Sequence, residues 1–285
     1  MTDLVSRMNT VWENGIATKN LVVLNTSTVY IAEKGCNFVV RMLKGDGLKK
    51  KESNINAKTK VIVDPFCTEN RNPVLVVKEM ETHTLMLNKF PVLKNHCVLV
   101  TNDFQSQLNP LNLSDFTALS SVLREVPSLV FYNCGVDSGA SQRHKHMQLI
   151  PFSQFEKEMT PFDEVMLKEN HDRDKVCQCE LYNFTHSMIH VSCEDLVNPE
   201  VLLSKYNLIM EDMKQKREKE GRKLESYNFL LLREWMFVVP RSCESCNGVN
   251  VNSLGFSGSF LAKNEELLSY LKEVGPLSIL KRVVN

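Results

Sequence analysis

The feature that most restricts the fold is a pair of apolar strands joined by a turn of small residues near the middle of the chain. Leu129 to Asn133 reads as one strand and His144 to Ile150 as the next, with the Gly-rich turn Cys134 to Gln142 between them. Side chains alternate between the faces of a strand, so His144, His146 and Gln148 share one face, and Lys145, Met147 and Leu149 the other. Three imidazole or amide groups in a row are costly to bury unless they meet a partner, which a ligand or a metal would supply. The small residues of the turn let backbone N–H groups approach an anion closely, and its hydroxyls add donors. A phosphate-accepting turn that runs into a histidine strand points to phosphoryl or nucleotidyl transfer. An imidazole with an ordinary pKa of about 6.5 is neutral at pH 7 and can attack without further activation. Gln148 can donate to a non-bridging oxygen as charge develops. A His-x-His pair alone also fits a surface strand or part of a metal site; the turn ahead of it favours catalysis.

Elsewhere the pattern is mixed. Leu4 to Asn14 is expected to be a helix, with Leu4, Met8 and Val11-Trp12 on one stripe. Short strands are expected at Leu21 to Leu24, Thr28 to Ile31, Asn37 to Arg41, Leu75 to Val77, Thr84 to Leu87 and Cys97 to Thr101. Lys44 to Lys60 is polar and basic and reads as a loop. Phe116 to Val126 has helical periodicity with Ser114 as its cap, and Val201 to Lys223 is a long helix with a charged end. Tyr227 to Val239 is apolar and β-like, with Trp235 read as core. Gly248 to Leu261 reads as turns, and Asn264 caps a closing helix, Glu265 to Val274, stopped at Gly275-Pro276. The expected fold class is α+β, an antiparallel sheet with flanking helices, in two halves, 1–151 and 152–285, packed as one unit.

The 285 residues suffice for one large domain or two small ones. Lys+Arg and Asp+Glu are equal at 34 each, which argues against a nucleic-acid coat but leaves room for a local polyphosphate site. No apolar run approaches the roughly 20 residues that span a bilayer, and Met1-Thr2-Asp3-Leu4 does not open like a signal peptide. The expected location is the cytoplasm, with the nucleus as a further one. Nine Cys at irregular spacing do not suggest a secreted disulfide framework. Cys243-Glu244-Ser245-Cys246 has the spacing of half a zinc site, and His171, His186 or His190 could complete it; with one good half, buried free thiols and no metal are the expectation.

Ser138-Gly139-Ala140-Ser141-Gln142-Arg143-His144-Lys145-His146-Met147-Gln148 resembles the histidine triad superfamily, and Gln in place of a third His is similar to its nucleotidylyl-transferase branch. The match is nearer still to the diadenosine tetraphosphate phosphorylases, or ATP adenylyltransferases. Leu87 to Val92 with Asn95-His96, Tyr227 to Ser242, and Asn250 to Gly258 resemble the same family, in matching order. Galactose-1-phosphate uridylyltransferases carry Pro and Gly where this chain has Lys145 and Met147. Many of the adenylyl branch open the Pro-Phe loop with Asn, where this chain reads Asp64-Pro65-Phe66.

The resemblance implies a histidine triad, transferase-like fold with its site where the halves meet. It implies attack by His146 on the α-phosphorus of the dinucleotide, release of ATP, and capture of the adenylyl group by inorganic phosphate to give ADP. Gln148 would hold the α-phosphoryl oxygens and His144 would fix the ring of His146. Asn133, Ser138, Gly139, Ala140, Ser141 and Gln142 would line the phosphate path. Lys50, with Lys49 and Lys51 as alternatives, Asn88, Lys89, Asn250, Val251, Asn252, Ser259 and Lys263 would bind substrate, although any single Lys is equally an ordinary solvated charge. No cofactor is required, a divalent cation serving at most as nucleotide counter-ion. Partners are diadenosine polyphosphates, ATP, ADP and phosphate, without nucleic acid or membrane; the chain is a monomer or homodimer. Hydrolysis of dinucleotides or of adenosine phosphosulfate by the same His, and nucleotide binding without turnover, stay open.

Overall fold

A computed structural model describes residues 3–44, 63–168, 172 and 175–285. The basic segment with Lys49 to Lys51, and His171, lie outside the described residues. Helix α1 (Leu4–Ala17) starts on the Asp3 side chain, which accepts from the Ser6 N–H, and buries Leu4, Met8 and Trp12 at helical spacing. Strands β1 (Thr26–Glu33) and β2 (Cys36–Leu43) form a hairpin, and Leu21 to Leu24 is extended without being a ladder strand. Strands β3 (Val76–Glu79), β4 (His83–Leu87) and β5 (Cys97–Thr101) follow, then helix α2 (Leu113–Leu123), β6 (Ser128–Cys134) and β7 (His146–Pro151). After these come a short helix α3 (Pro161–Met166), β8 (Ser187–His190), the long helix α4 (Pro199–Lys219), and the hairpin β9 (Tyr227–Leu231) and β10 (Trp235–Pro240).

Eight of these strands make one antiparallel sheet in the order β3-β4-β5-β7-β6-β9-β10-β8. The β6–β9 pair, Asn133 opposite Asn228, carries the sheet across from the first half to the second. On one face Tyr132, Met147, Leu149, Phe229 and Val238 pack with α1, α2 and α4. On the other, Phe131, Ile150, Leu230 and Phe237 meet the β1–β2 hairpin and the C-terminal elements. His146 and Gln148 have the same parity as Ile150, so they face this second side, as the alternation predicts.

Several expectations are corrected. Asn112, not Ser114, caps α2, forming a reciprocal capping box with Asp115. The Gly/Ser/Asn region from Gly248 to Leu261 contains real elements: β12 (Val249–Asn250), paired in a small hairpin with β11 (Ser245–Cys246) just before it, a turn of helix α5 (Ser253–Phe256), and β13 (Ser259–Ala262), which pairs parallel to β2. Helix α6 (Glu265–Val274) does stop at Gly275, but Pro276 then opens a further helix, α7 (Pro276–Val284), because Pro is well tolerated at a first helical position. No helix among the described residues is long and apolar enough to cross a membrane.

Candidate active site

Strand β7 is held in register from both sides, but differently. Its outer partner β5 pairs as far as Val100 opposite His146. Its inner partner β6 stops pairing at Phe131 opposite Gln148. In place of the next rung, Gln107 is wedged between the strands. Its Oε1 accepts from the His146 N–H at 2.8 Å, and its Nε2 donates to the Asn133 carbonyl at 2.8 Å and the His146 carbonyl at 3.2 Å. One buried amide therefore satisfies three backbone groups that the strands, by separating, would have orphaned.

The ring of His146 is fixed just as tightly. Nδ1 lies 2.8 Å from the carbonyl of His144 and must donate to it, which leaves Nε2 with the lone pair. Burial pushes the His146 pKa down to about 4, against the opposing effect of that hydrogen bond. The imidazole is therefore neutral at physiological pH with Nε2 unprotonated, which is the form a nucleophile needs. Phe66 packs on it, ring centroids 4.9 Å apart. His144 does not face the same space as freely: its Nδ1 is 2.7 Å from Asp64 Oδ2 and its Nε2 is 2.8 Å from the Thr101 carbonyl.

Gln148 is oriented by His96. His96 Nε2 lies 2.9 Å from Gln148 Oε1, an oxygen that only accepts, so Nε2 carries the hydrogen and donates, while burial holds the His96 pKa down at about 4 and keeps the ring neutral. The Gln148 oxygen is thereby occupied, and its NH₂ group is the part left to present. The turn carrying Asn88 and Lys89 adjoins this pair, since the Asn88 N–H donates to the His96 carbonyl. The Asn88 side chain caps the Phe90 N–H, and the Lys89 ammonium sits over the Phe90 ring at 5.5 Å.

On the opposite face of the same strand, Lys145 is buried with its ammonium 2.5 Å from Asp115 Oδ2 and 2.8 Å from the Pro110 carbonyl. Asp115 also meets His83 at 3.1 Å. Burial alone would raise the Asp115 carboxyl, but the His83 hydrogen bond and the Lys145 charge outweigh it and hold it below the ordinary range. This ion pair ties the start of α2 to the histidine strand.

The turn ahead of β7 packs on the second half of the chain. Gly135 and Gly139 have φ of +88° and +83°, and a Cβ on Gly139 would stand 3.2 Å from the Val251 carbonyl and from Asn252 Cβ. Ser138 is spent inside the turn: its hydroxyl and its N–H both donate to the Gly135 carbonyl, and the Gly139 N–H bonds to Val136. The donors of these two residues are thus used within the turn. The N–H groups of Ala140, Ser141 and Gln142, nearest β7, make no hydrogen bond among the described residues.

Beneath the turn lies a buried polar bridge. Asn228 Nδ2 donates to Asn133 Oδ1 at 2.8 Å and to the Ser138 carbonyl at 2.9 Å, and Arg241 reaches Asn228 Oδ1 at 2.5 Å. Ser253 adds two more donors to Asn133 Oδ1, so that oxygen is committed to joining the halves. Arg241 also bonds the carbonyls of Cys243 and Glu244 and stacks on Phe256 at 5.6 Å. Burial lowers its pKa to about 10, so it stays charged at neutral pH beside the turn.

The remaining expected residues are more scattered. Val251 and Asn252 abut Gly139, with Asn252 capping α5 through the Leu254 N–H, and Asn250 is exposed on β12. Ser259 pairs opposite Val39 in the three-stranded sheet β1-β2-β13, its buried hydroxyl unpartnered, and Lys263 follows exposed; no hydrogen bond joins either to β7. Lys50 lies outside the described residues. Asp64, Phe66, His96 and Gln107 were not among the residues singled out for the site. Of these only the Asp64-Pro65-Phe66 stretch, as a departure from family pattern, and His96, within a family-like stretch, carried a signal.

Among the described residues no group of three His, Cys, Asp or Glu side chains is placed to hold a metal. His186 already uses both ring nitrogens, on the Phe184 carbonyl and the Cys179 N–H. Cys243 approaches the Arg282 carbonyl and Cys246 the Tyr270 hydroxyl.

Comparison with known proteins agrees with this geometry. The Ap4A phosphorylase N-terminal domain matches residues 1–168, and the ATP adenylyltransferase C-terminal domain matches residues 180–285. Diadenosine 5',5'''-P1,P4-tetraphosphate phosphorylase 2 of Saccharomyces cerevisiae is 33% identical over 252 residues, 79% of this chain and 76% of that protein. Protein APA1 of the same yeast is 32% identical over 211 residues, 68% of this chain and 65% of that protein. The crystal structure of yeast Ap4A phosphorylase Apa2 in complex with Ap4A superposes with a TM-score of 0.78 at 25% identity, covering 99% of this chain and 97% of that one. The complex of Apa2 with AMP gives a TM-score of 0.77 at 27% identity with the same coverage. The chain belongs to the family of Ap4A phosphorylases and ATP adenylyltransferases.

Proposed function

We propose that this protein cleaves diadenosine tetraphosphate by phosphorolysis, giving ATP and ADP through an adenylyl group carried on His146. The observation that carries the reading is the neutral His146 ring, its Nδ1 tied to the His144 carbonyl and its Nε2 free, in a chain of this family. Nε2 attacks the α-phosphorus, the N–P bond forms, and the P–O bond to the departing ATP breaks. Phosphate oxygen then attacks the same phosphorus and expels the imidazole, giving ADP. The positive charge that appears on the ring in the first step is shared with the His144 carbonyl through the Nδ1–H bond.

The NH₂ of Gln148, its oxygen held by His96, donates to a non-bridging α-phosphoryl oxygen as charge builds there. The N–H groups of Ala140, Ser141 and Gln142 and the buried Arg241 charge favour the polyphosphate. The basic segment around Lys50 supplies further cations. No resident metal takes part, and a divalent cation acts only as counter-ion to the nucleotide.

The test is to incubate metal-stripped protein with diadenosine tetraphosphate, with and without phosphate, beside His146→Ala, and to resolve the products. Phosphate-dependent ATP plus ADP, lost in the variant, is the expected result. ATP plus AMP irrespective of phosphate makes the protein a hydrolase, and binding without turnover makes it a nucleotide sensor.

A further inference from the structure

Diadenosine tetraphosphate carries an adenosine at each end, so a phosphorus held at His146 has one adenosine on either side of it. The two ends of the histidine strand differ. At the Gln148 end lie His96 and the turn with Asn88 and Lys89. At the His144 end the chain arrives from Ala140, Ser141 and Gln142, whose N–H groups make no hydrogen bond among the described residues, so a run of phosphates meets donors in this direction. An aromatic ring stands there. Ser106 pairs opposite His144, and two bonds of 2.8 Å, from the Gln107 N–H to the Arg143 carbonyl and from the Lys145 N–H to the Gln105 carbonyl, pin this segment to the strand. Phe104, two residues before Ser106, returns to the His144 face, its ring centroid 5.4 Å from that of His144 and its plane tilted by 72°. Phe104 is 65% exposed. A T-shaped contact occupies at most one face of the phenyl ring, so the other is open. The only other exposed aromatic ring among the described residues is Tyr30, on β1, with its hydroxyl 3.3 Å from Glu156 Oε2.

We infer that Phe104 is the stacking platform for the second adenine of the dinucleotide, the one that departs with ATP. A purine presents a broad π-face, and an aromatic side chain recognises it without hydrogen bonds. The His144 ring beneath is buried and held at both nitrogens, by Asp64 and by the Thr101 carbonyl. Phe104 therefore rests on a fixed neighbour, and its open face is in place before the ligand arrives. The role is one of specificity. Reaction at the phosphorus needs only the adenylyl half and the phosphates, whereas the platform favours a ligand with a second base. The protein should therefore prefer diadenosine tetraphosphate to adenosine tetraphosphate, which has the same phosphate chain and no second nucleoside. The kinetic form of this inference rests on the function proposed above, but the binding preference does not.

The test compares wild type, Phe104→Ala and Phe104→Trp on these two ligands. In phosphorolysis the dinucleotide yields ATP and ADP, and adenosine tetraphosphate yields ADP and inorganic triphosphate. Wild type should prefer the dinucleotide. The ratio of the two kcat/KM values should fall about tenfold in Phe104→Ala, within the range for stacking lost from one base, and be kept in Phe104→Trp. Phe104→Leu keeps an apolar cover over His144 without a π-face and should also lose most of the preference, so the test survives an unstable alanine variant. Calorimetry of the same substitutions in a His146→Ala background measures Kd for both ligands without turnover, and the same ratio should appear. An equal loss on both ligands makes Phe104 no more than a cover for His144 and overturns the inference. So does a ratio in Phe104→Ala and Phe104→Leu equal to that of wild type. If the Kd ratio shifts as expected but wild type turns over neither ligand, the proposed phosphorolysis falls and the platform stands.

Discussion

The amide oxygen of Gln148 is 2.9 Å from Nε2 of His96, and that one bond decides which end of the glutamine faces the substrate. An amide can flip at little cost when neither end is held, and a flipped Gln148 would set its oxygen against a phosphoryl oxygen. His96→Phe keeps an apolar ring beside Phe131, whose centroid lies 6.0 Å from that of His96, and deletes only the donor. kcat should fall about tenfold to a hundredfold, within the range for loss of a single transition-state donor. The thermal midpoint should change little. Steady-state kinetics beside a melting curve check this, and an unaltered kcat would show that Gln148 orients itself.

Gln107 makes a stability prediction of a different kind. Replacing it with Leu preserves volume but strands the His146 N–H and the carbonyls of Asn133 and His146. Each buried group left unpaired costs about 1–3 kcal/mol, although water entering between the strands would recover part of this. A loss of roughly 2–4 kcal/mol by denaturant titration is expected, together with a drop in kcat as the strand carrying His146 loosens. A variant as stable as wild type would mean that β6 and β7 simply zip together when the wedge is removed.

How much of this was legible in the sequence depended on the range of the contact. The polar alternation of His144, His146 and Gln148 is a local pattern, and it placed the histidine strand and the shared face of His146 and Gln148 correctly. Helix α1 was equally local, its stripe of Leu4, Met8 and Trp12 matching the buried residues. Gln107 and Asp64 are a different matter, because they meet β7 from 39 and 80 residues away; nothing near Gln107 marks it, and the stretch at Asp64 stood out only as a departure from the family pattern, with no sign of what it contacts. Strand β13 was hidden by its setting: a Gly/Ser/Asn composition reads as turns, and only pairing with β2 makes it a strand. Ser138 shows where residue type alone runs out: serine suits both a phosphate nest and a self-bonded turn, and the bond of its hydroxyl to the Gly135 carbonyl comes only with the structure.

The buried Lys145 tests the opposite face of the catalytic strand. Lys145→Met leaves the Asp115 carboxylate buried with His83 and the α2 cap but without its cation. Removing one partner of a buried ion pair costs roughly 3–5 kcal/mol. The double variant Lys145→Met with Asp115→Asn should regain part of that loss, since the uncompensated charge goes with it. A double-mutant cycle by urea unfolding measures the coupling. Additive losses would mean that the two charges do not depend on one another.

Acid should unfold this protein early, and the sign follows from three histidines. Burial lowers the pKa of His96, His146 and His186 to about 4 in the fold, against about 6.5 in the unfolded chain. Above about pH 6.5 both states are neutral and these groups leave stability unchanged. As pH falls from there toward 4, the unfolded chain binds protons that the folded chain refuses, so stability declines. The slope approaches roughly 1.4 kcal/mol per pH unit for each group, or about 3 kcal/mol each across the window. Loss of most of a typical domain's stability between pH 6 and about 4.5 is therefore expected. His186 takes no part in the proposed chemistry and is fully buried, with its Nε2 accepting from the Cys179 N–H. A pH series of urea melts should show the decline in wild type, and a shallower slope by about one proton in a folded His186→Gln variant. Within the range where the protein stays folded, adenylyl-enzyme formation should show no inflection near pH 6.5, because His146 remains neutral there. An inflection at that pH, with the fold intact, would mean that the nucleophile titrates as an exposed histidine and that the buried, neutral ring is not the working form.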